Sequence, residues 1–443
     1  MAHFAPNSNA TALRSRVLSK VTWRLVPLLF FLYVVAYVDR INIGFAALQI
    51  QSRLRLSDAN YGFAAGVFFA GYVVFQLPSN VVLERIGARR WIAVLMIAWG
   101  LISSSMILVR HPWHLYLLRF MLGSAEAGFF PGIVFYLKGW FPENTRAKTL
   151  ATFVAAGALS AVVAGPLCGA LLNLHKAGLA GWQWMFLLEG GPAVFLGMGV
   201  FLCLTNSPEE ALWLSAEERD WLVYALLQES SKPELQAKRR VRKVFGSFPI
   251  WMLVCVYFGA NCAGYGITFW LPSLIRNLSA SGNIVIGFLA AIPYALALVI
   301  MIVAGAHSDK SGEHRWHIAV PAVIGGVALV FAGFSDSAPK LIAAVSVAII
   351  AEFSMMGPFW ALSTMTEPEH AAAGIALINS LGNFGGLFGS YAIGALRNSS
   401  SGFRNGIVFL GIALAATGCL ALLVRTHAQT LPPVEPAADA ILN

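Results

Sequence analysis

Long apolar stretches, each of roughly twenty residues, recur along the whole sequence and limit what the chain can fold into. A helix of about 20 apolar residues is long enough to cross the hydrocarbon core of a bilayer. Only 12% of the residues are charged and 58% are hydrophobic, which leaves too little polar surface for a soluble domain. The sequence therefore predicts an all-α polytopic membrane protein with twelve transmembrane helices. We place these spans at about 24–50, 60–83, 91–109, 113–139, 149–173, 184–204, 249–275, 284–306, 317–334, 339–363, 372–396 and 404–425.

A polar segment separates the first six spans from the last six. Within it, Ser215 and Glu218 have the spacing of a capping box, which predicts a short surface helix, and KPELQAKRRVRK follows as a basic linker. We therefore expect an N-terminal six-helix bundle over 1–204, a cytoplasmic linker with a short surface helix over 205–248, and a C-terminal six-helix bundle over 249–443.

The distribution of basic residues predicts the orientation in the membrane. If both termini are cytoplasmic, twenty Lys and Arg residues lie on the cytoplasmic side and eight on the other, which satisfies the positive-inside rule. The net charge of +9 is then a consequence of topology and requires no nucleic-acid partner. No cleavage site follows the N-terminal residues, so the first span is expected to remain uncleaved. We expect a multi-pass protein of a bacterial inner (plasma) membrane.

The two halves carry an internal repeat. PSNVVLERIGARRW links the second and third spans, and AGAHSDKSGEHRW links the eighth and ninth. Glu84 and Asp309, in these two loops, are 225 residues apart, and the same offset relates Gly132 to Gly357. Two like-oriented halves are typical of transporters whose site lies between the halves, near the middle of the bilayer. The sequence therefore predicts two pseudo-symmetric bundles around a central cavity.

Asp39 and Arg40 are charged residues deep inside the first predicted span, and Arg119 and Glu126 are charged residues inside the fourth. A charge at the bilayer centre costs about 2.5–3.5 kcal/mol unless it faces water or a partner. Adjacent residues diverge by about 100° around a helix, so Asp39 and Arg40 require different partners, for which the fourth span offers candidates. Dry surroundings favour the protonated form of a carboxyl group, so Glu126 is a candidate for proton coupling. A buried salt bridge between the first and fourth spans is the structural alternative.

Basic and aromatic side chains suggest an anion site. A guanidinium group matches a carboxylate with two parallel hydrogen bonds, which makes Arg40 and Arg119 candidate binders. Tyr33 and Tyr37 share a helix face with Arg40 and add two hydroxyl groups. This combination suits an anion that carries hydroxyl groups or a ring. Weaker candidates, for which helix packing is an equally good explanation, are Tyr72, Asn379, Asn383, Trp360 and Ser363, and Glu352 is a lower-ranked candidate for proton coupling.

With these residues in view, the sequence resembles the major facilitator superfamily over essentially its whole length. The loop between the second and third spans is similar to the signature Gly-x-x-x-Asp-Arg-x-Gly-Arg-Arg, although Asn80, Glu84 and Ala88 replace the first Gly, the Asp and an Arg. In that superfamily the loop reports fold and gating rather than substrate. The resemblance implies a gating role for Glu84, Arg85, Arg89, Arg90, Asp309 and Lys310.

A narrower resemblance is to the anion:cation symporter family, which includes carriers of tartrate, sugar acids and aromatic acids. It rests on Tyr37, Asp39, Arg40 and Asn42, on RFMLGSAEAGFFPG in the fourth span and on GIALINSLGNFGG in the eleventh. The resemblance implies proton-coupled uptake of a small organic anion by alternating access. In such a carrier Arg40 would bind the substrate carboxylate, Asp39 and Glu126 would take protons, and Arg119 would hold Glu126 charged.

Two alternative functions are a proton-antiport efflux carrier and a ligand sensor that does not transport. AVVAGPLCGA in the fifth span partly resembles the motif of proton-antiport efflux carriers, but Ala161 and Ala170 stand where glycines are expected, and Gly165 and Pro166 also suit a kink. A ligand sensor that does not transport would need an added signalling domain. The sequence contains no phosphate loop, no nucleophile with a plausible base and no metal-ligand spacing. We therefore expect a monomeric transporter, not an enzyme, with protons as its coupling ion and no other cofactor.

Overall fold

The computed structural model describes residues 8–230, 244–366, 371–397 and 401–424. These residues are almost entirely helical, and short 3₁₀ segments cover Ser105–Leu108 and Pro208–Glu210. The α-helices are α1 (Ser8–Ile41), α2 (Ile43–Leu54), α3 (Asp58–Ile86), α4 (Ala88–Ser104), α5 (Pro112–Glu126), α6 (Phe129–Lys138), α7 (Glu143–Leu171), α8 (Gly181–Cys203), α9 (Ala216–Ser230), α10 (Phe248–Leu278), α11 (Asn283–Ser311), α12 (Arg315–Gly333), α13 (Ala338–Thr366), α14 (Ala371–Asn383), α15 (Gly385–Ala395) and α16 (Arg404–Leu423).

The helices form the twelve predicted crossings. Ten crossings are long and apolar enough to span a bilayer by length and composition, and the other two are α7 and the pair α14 and α15. Three crossings consist of two helices each: α1 with α2, α5 with α6, and α14 with α15. The predicted all-α membrane fold is confirmed, with span limits within a few residues of those expected except in the first crossing, where the helix already begins at Ser8.

The surface helix between the halves begins as predicted. The backbone N–H of Ser215 donates to the Glu218 carboxylate at 2.9 Å, and the N–H of Glu218 donates to the Ser215 hydroxyl at 3.2 Å, which is a complete capping box. Lys20 of α1 donates to Glu218 at 2.8 Å and lowers the pKa of that carboxyl group. Helix α9 is thereby attached to α1. The basic residues 232–243 lie outside the described part of the chain.

The halves contact each other at the end of the bundle that lies away from α9, here called the distal end. Asp58 pairs with Arg397 at 2.6 Å, and Asn283 donates to Asn173 at 2.9 Å. Helix α7 packs on α11 so closely that a Cβ atom on Gly165 would lie 2.3 Å from the carbonyl oxygen of Gly287. The segment that resembles an antiporter motif therefore serves close packing between the halves, for which glycine is required.

The predicted gating residues lie at the opposite end, beside α9. Glu84, Arg85, Arg90, Asp309 and Lys310 are exposed. Their loops end in turns, and the residue after α11 is Gly312 with φ +66°, a left-handed conformation that favours glycine. Arg89 donates to the carbonyl oxygen of Phe201 at 3.0 Å and covers its ring. These residues are thus placed where gating contacts could form, and their role in gating stays a prediction.

Candidate functional site

An ion pair lies at the centre of the molecule. The Nε and Nη2 atoms of Arg40 donate to the same carboxylate oxygen, Oε2 of Glu126, at 3.0 and 2.9 Å. The Glu126 side chain is fully buried and that of Arg40 is 12% exposed. The second oxygen of Glu126, Oε1, is buried and accepts no hydrogen bond from the described part of the chain. Glu126 is the last residue of α5, where the fourth crossing breaks before α6, so the break presents the carboxylate to α1.

Aromatic rings surround the guanidinium group of Arg40. Its Cζ atom lies 5.8, 5.3 and 5.4 Å from the ring centres of Tyr37, Phe68 and Tyr72. The negative faces of such rings attract a cation, most strongly where water is excluded. We call these three rings together with Arg40 the Arg40 cage. The rings hold the guanidinium group in place, and its hydrogen-bonding edge stays directed at a carboxylate, here that of Glu126.

The C-terminal half contributes Tyr265 of α10 to the same point. Nη1 of Arg40 donates to the Tyr265 hydroxyl at 3.3 Å, across the boundary between the halves. The two residues are 225 residues apart, the offset of the internal repeat, so they occupy equivalent positions in the two bundles. Sequence reasoning missed Tyr265, although adding the repeat offset to Arg40 would have found it.

Asp39 faces away from Arg40, as the helix periodicity predicts. Its Oδ1 atom accepts hydrogen bonds from the Ser103 hydroxyl at 2.5 Å and from the Asn42 amide at 3.1 Å. Ser103 belongs to α4, and Asn42 is the residue between α1 and α2. The expectation that Asp39 finds its partner in the fourth span is therefore wrong, because the turn of the helix directs it to the third.

A further carboxyl group, Glu189 of α8, lies beside Asp39. Asn42 donates to Oε2 of Glu189 at 2.8 Å, and the Cys168 thiol donates to Oε1 at 3.2 Å. Sequence reasoning did not select Glu189. The signal was present, because Glu189 is the lone acid within the apolar stretch FLLEGGPAVF of the sixth span.

Arg119 does not bind Glu126. Its Nη2 atom donates to the backbone carbonyl of Ala65 at 3.2 Å, its Nε and Nη1 atoms have no hydrogen-bond partner, and its Cζ lies 5.0 Å from the ring centre of Phe68. Seven residues along a helix separate two side chains by about 10 Å of rise, which accounts for the lack of a hydrogen bond between Arg119 and Glu126. The expectation that Arg119 holds Glu126 charged therefore requires an effect at longer range and stays a prediction. Arg40, which approaches from α1, donates to Glu126 instead.

Two of the weaker candidates use their polar atoms within their own helices. The Ser363 hydroxyl is buried and donates to the carbonyl oxygen of Phe359 at 2.8 Å. The amide of Asn383 donates to the backbone and side-chain oxygens of Asn379 at 2.7 and 3.0 Å. Neither group is oriented toward the Arg40 cage by these contacts, and their assignment to the substrate site stays a prediction.

Of the remaining candidates, Tyr33 and Asn379 border the Arg40 cage, and Trp360 packs within the C-terminal half. Tyr33 packs against Tyr37 at 6.2 Å between ring centres, and Asn379 lies beside the hydroxyl of Tyr72. Trp360 meets Tyr257 edge to face at 5.1 Å. Both halves thus supply rings and polar groups to one central region, as a site between two repeats requires.

Comparison with known proteins identifies the class of protein. The sequence profile described as the Major Facilitator Superfamily matches residues 29–390. A protein of Agrobacterium vitis named "Putative tartrate transporter" is 41% identical over 93% of this chain and 92% of its own length. "Putative metabolite transport protein NicT" of Pseudomonas putida is 40% identical over 89% of this chain and 92% of its own length. A "Quinolone resistance transporter" of Acinetobacter baumannii is 36% identical, with coverages of 90% and 92%.

Solved structures agree on the fold. A bacterial homologue of the human lysosomal transporter Spinster, in an inward-facing and occupied conformation, superposes with a TM-score of 0.73 at 18% identity, covering 92% of this chain and 97% of that one. A D-xylose-proton symporter gives a TM-score of 0.71 at 18% identity, covering 91% and 97%. With the sequence match over most of its length and helices that form twelve crossings, the chain belongs to the major facilitator superfamily of membrane transporters.

Proposed function

We propose that this transporter takes up a small organic carboxylate together with protons, by alternating access across a bacterial inner membrane with both termini cytoplasmic. The observation that carries the proposal is the Arg40–Glu126 pair. Two donors of Arg40 converge on one oxygen of Glu126 inside the Arg40 cage, at the boundary between the halves. A substrate carboxylate could form the same two bonds with Arg40.

The pair provides a physical reason for coupling. A guanidinium group stays charged, and an uncompensated charge at this depth is costly. While Glu126 is ionised it neutralises Arg40, and a substrate anion would add an excess negative charge. Protonation of Glu126 releases Arg40, which then binds the anion with no change in net charge. Proton and anion therefore arrive together, and on their release the ion pair forms again and allows the empty carrier to return.

The side chains around the Arg40 cage suggest the class of substrate. Tyr37 and Tyr72 supply hydroxyl groups and ring faces, Asn379 supplies an amide, and Trp360 supplies a large ring from the other half. Tartrate, sugar acids and aromatic acids each combine a carboxylate with hydroxyl groups or a ring. The name of the Agrobacterium relative supports the same class. We assign Asp39 a second proton and Arg119 a role in shaping the cavity wall.

The experiment is uptake into proteoliposomes with an imposed pH gradient, using labelled tartrate, galactonate, glucuronate, hydroxyphenylacetate, benzoate and nicotinate. We expect one of these acids to accumulate in the wild type. The Glu126→Gln variant should lose gradient-driven accumulation and keep exchange of labelled for unlabelled substrate, because its Arg40 is permanently released. Glu209→Gln, an exposed carboxylate on the linker, is the matched control and should behave as wild type. Full accumulation by Glu126→Gln would remove Glu126 from the coupling mechanism.

Proton-antiport efflux is the second candidate, and the quinolone-resistance relative favours it. Quinolones carry a carboxylate on a ring system, so the Arg40 cage could bind them by the same contacts. The direction of movement separates the two functions. Under the same pH gradient, expulsion of a quinolone with no accumulation of any acid would replace the uptake proposal.

A further inference from the structure

The buried charges of the first six spans do not balance. Among the described residues, the interior of these spans holds three carboxyl groups, Asp39, Glu126 and Glu189, and two guanidinium groups, Arg40 and Arg119. Neither arginine can lose its charge in a protein. If all three carboxyl groups were ionised, one negative charge would remain uncompensated in an apolar interior, which is strongly unfavourable. One proton on one of these carboxyl groups restores the balance.

The contacts indicate where that proton is held. Glu126 has the two donors of Arg40, whereas Asp39 and Glu189 receive only neutral donors. The same amide of Asn42 donates to both, at 3.1 Å to Asp39 and 2.8 Å to Glu189. Asp39 and Asn42 are completely buried and Glu189 is 6% exposed. Two carboxyl groups bridged by one amide in a dry site resemble the carboxyl pairs in which a single proton is shared.

Two oxygen atoms in this cluster lack partners. Oδ2 of Asp39 and Oδ1 of Asn42 are buried and accept no hydrogen bond from any described residue. Both atoms are acceptors, so another acceptor cannot satisfy them. A proton carried by a carboxyl group of the cluster would supply a missing donor, and buried polar atoms without partners are rare in folded proteins.

Among the described residues, the helices packed around the cluster place no cation in contact with it. Helix α4 contributes the Ser103 hydroxyl and α7 contributes the Cys168 thiol. On α5, Arg119 and Glu126 act on Asp39 only at longer range, since Arg119 donates to Ala65. A proton therefore has no competitor for these carboxyl groups among the described neighbours.

We infer that Asp39 and Glu189 form one proton-sharing pair, bridged by Asn42, which holds a proton while the Arg40–Glu126 pair is intact. Protonation makes an O–H bond on a carboxylate oxygen with a proton taken from water, and release returns that proton to water, with no other bond changed. If the proposed function is correct, this pair is a second coupling site, and each anion moves with more than one proton.

Infrared difference spectroscopy of the purified full-length protein tests the pair directly, because a protonated carboxyl group has a C=O stretching band separate from that of a carboxylate. All variants carry Glu352→Gln to remove the carboxyl group within the C-terminal spans. At neutral pH we expect one protonated-carboxyl band that is absent from the Asp39→Asn, Glu189→Gln double variant. Glu126→Gln removes one of the three negative charges, so in that variant the band should persist but disappear at a lower pH than in the wild type. Glu189→Gln alone should shift the band or the pH at which it disappears. Gel filtration of each variant confirms that it is folded.

Three results would overturn the inference: no band that depends on the double substitution, a band that is absent at every pH in Glu126→Gln, or a band unaltered by Glu189→Gln alone. The last would leave the proton on Asp39 without a shared partner. The readout requires no substrate, so it is independent of the proposed function. If the protein shows the band but no uptake, the proposed symport is wrong and the proton-sharing pair stands. If it shows uptake but no band, the pair is wrong and symport stands. In an active carrier, the reversal potential should show one proton fewer per anion for Glu189→Gln.

Discussion

At the scale of single residues, the distinction is between an ion pair that serves stability and one that serves exchange. A buried ion pair is weak support for stability, because desolvation offsets most of its attraction. The pair also leaves hydrogen-bonding capacity unused. Both donors of Arg40 bind Oε2 of Glu126, and Oε1 accepts no hydrogen bond from the described residues. A purely structural bridge would gain from the two-oxygen arrangement. The observed geometry fits an exchange in which the carboxylate of a substrate replaces the carboxylate of Glu126 on Arg40.

The shape of the Arg40 side chain should therefore determine substrate affinity. Arg40→Lys keeps the positive charge and loses the two-pronged geometry, which removes one charge-assisted hydrogen bond to the substrate. Such a bond contributes about 1.5–3 kcal/mol, so we expect the Kd of the transported acid to rise about tenfold to a hundredfold. Isothermal calorimetry on the purified protein measures this change.

Arg119→Lys is the comparison for that measurement. Because Arg119 donates to a backbone carbonyl and packs on Phe68, its replacement should lower the melting temperature more than it changes the substrate Kd. Unchanged affinity in Arg40→Lys together with a large loss in Arg119→Lys would make Arg119 the anchor and contradict the proposed site.

The sequence predicted those parts of the site that depend on one helix. Helical periodicity was sufficient to separate Asp39 from Arg40, and depth in the span was sufficient to select Glu126. The partners of these residues come from other helices. The spacing of residues along one helix does not reveal which residues of the other helices lie beside it. For that reason Tyr265 and Glu189 were missed, although the repeat offset and a lone acid in an apolar span pointed to them.

At the scale of helices, three crossings break beside the central site. The breaks lie at Asn42, between α5 and α6, and at Phe384, and they divide the first, fourth and eleventh spans. Asn42 bridges Asp39 and Glu189, and Glu126 ends α5. Irregular backbone within a membrane is tolerated where it lines a site inside the protein. The breaks therefore mark the same region as the buried charges.

The contact between α7 and α11 gives a prediction about movement of the halves. In Gly165→Ala the new Cβ atom would lie 2.3 Å from the carbonyl oxygen of Gly287, so the distal end cannot close as tightly. Overpacking of this kind costs about 1–3 kcal/mol, which shifts the balance toward a distally open carrier by about fivefold to more than a hundredfold. Labelling of Asn283→Cys by a membrane-impermeant maleimide, in a background without the native cysteines, should become faster.

Gly199→Ala on α8 is the matched control, because a Cβ atom there meets nothing within 4 Å. It adds the same methyl group to a transmembrane helix without touching the other half. Equal labelling rates in the wild type and in both variants would show that the Gly165 contact does not limit opening.

At the scale of the whole molecule, the described side-chain contacts between the halves fall at several levels. In the centre, Arg40 meets Tyr265, and Ser380 donates to Gln76 at 2.6 Å. Between the centre and the distal end, the Tyr61 hydroxyl lies 3.0 Å from carbonyl oxygens of both halves, those of Ile43 and Phe269. A hydroxyl has one proton to donate, so these two bonds alternate rather than add. Polar contacts of this kind can exchange with water when the halves separate.

The ion pair between Asp58 and Arg397 is the distal contact that charge exchange can test. Both side chains are partly exposed, and such pairs contribute about 0.2–1 kcal/mol, so either Asp58→Arg or Arg397→Asp should shift the carrier toward its distally open form by up to about fivefold. The double exchange restores opposite charges and should recover much of the original balance between the two forms.

Spin labels at His175 and Ser281, one in each half, report the two forms as two distances by pulsed electron paramagnetic resonance. High salt should weaken the difference between wild type and single variants, because screening acts on exposed pairs. If the double exchange opens the distal end as much as the single variants do, the charge pairing between Asp58 and Arg397 does not hold the halves together, and Arg397 serves its own half through the Phe403 ring, 4.2 Å away.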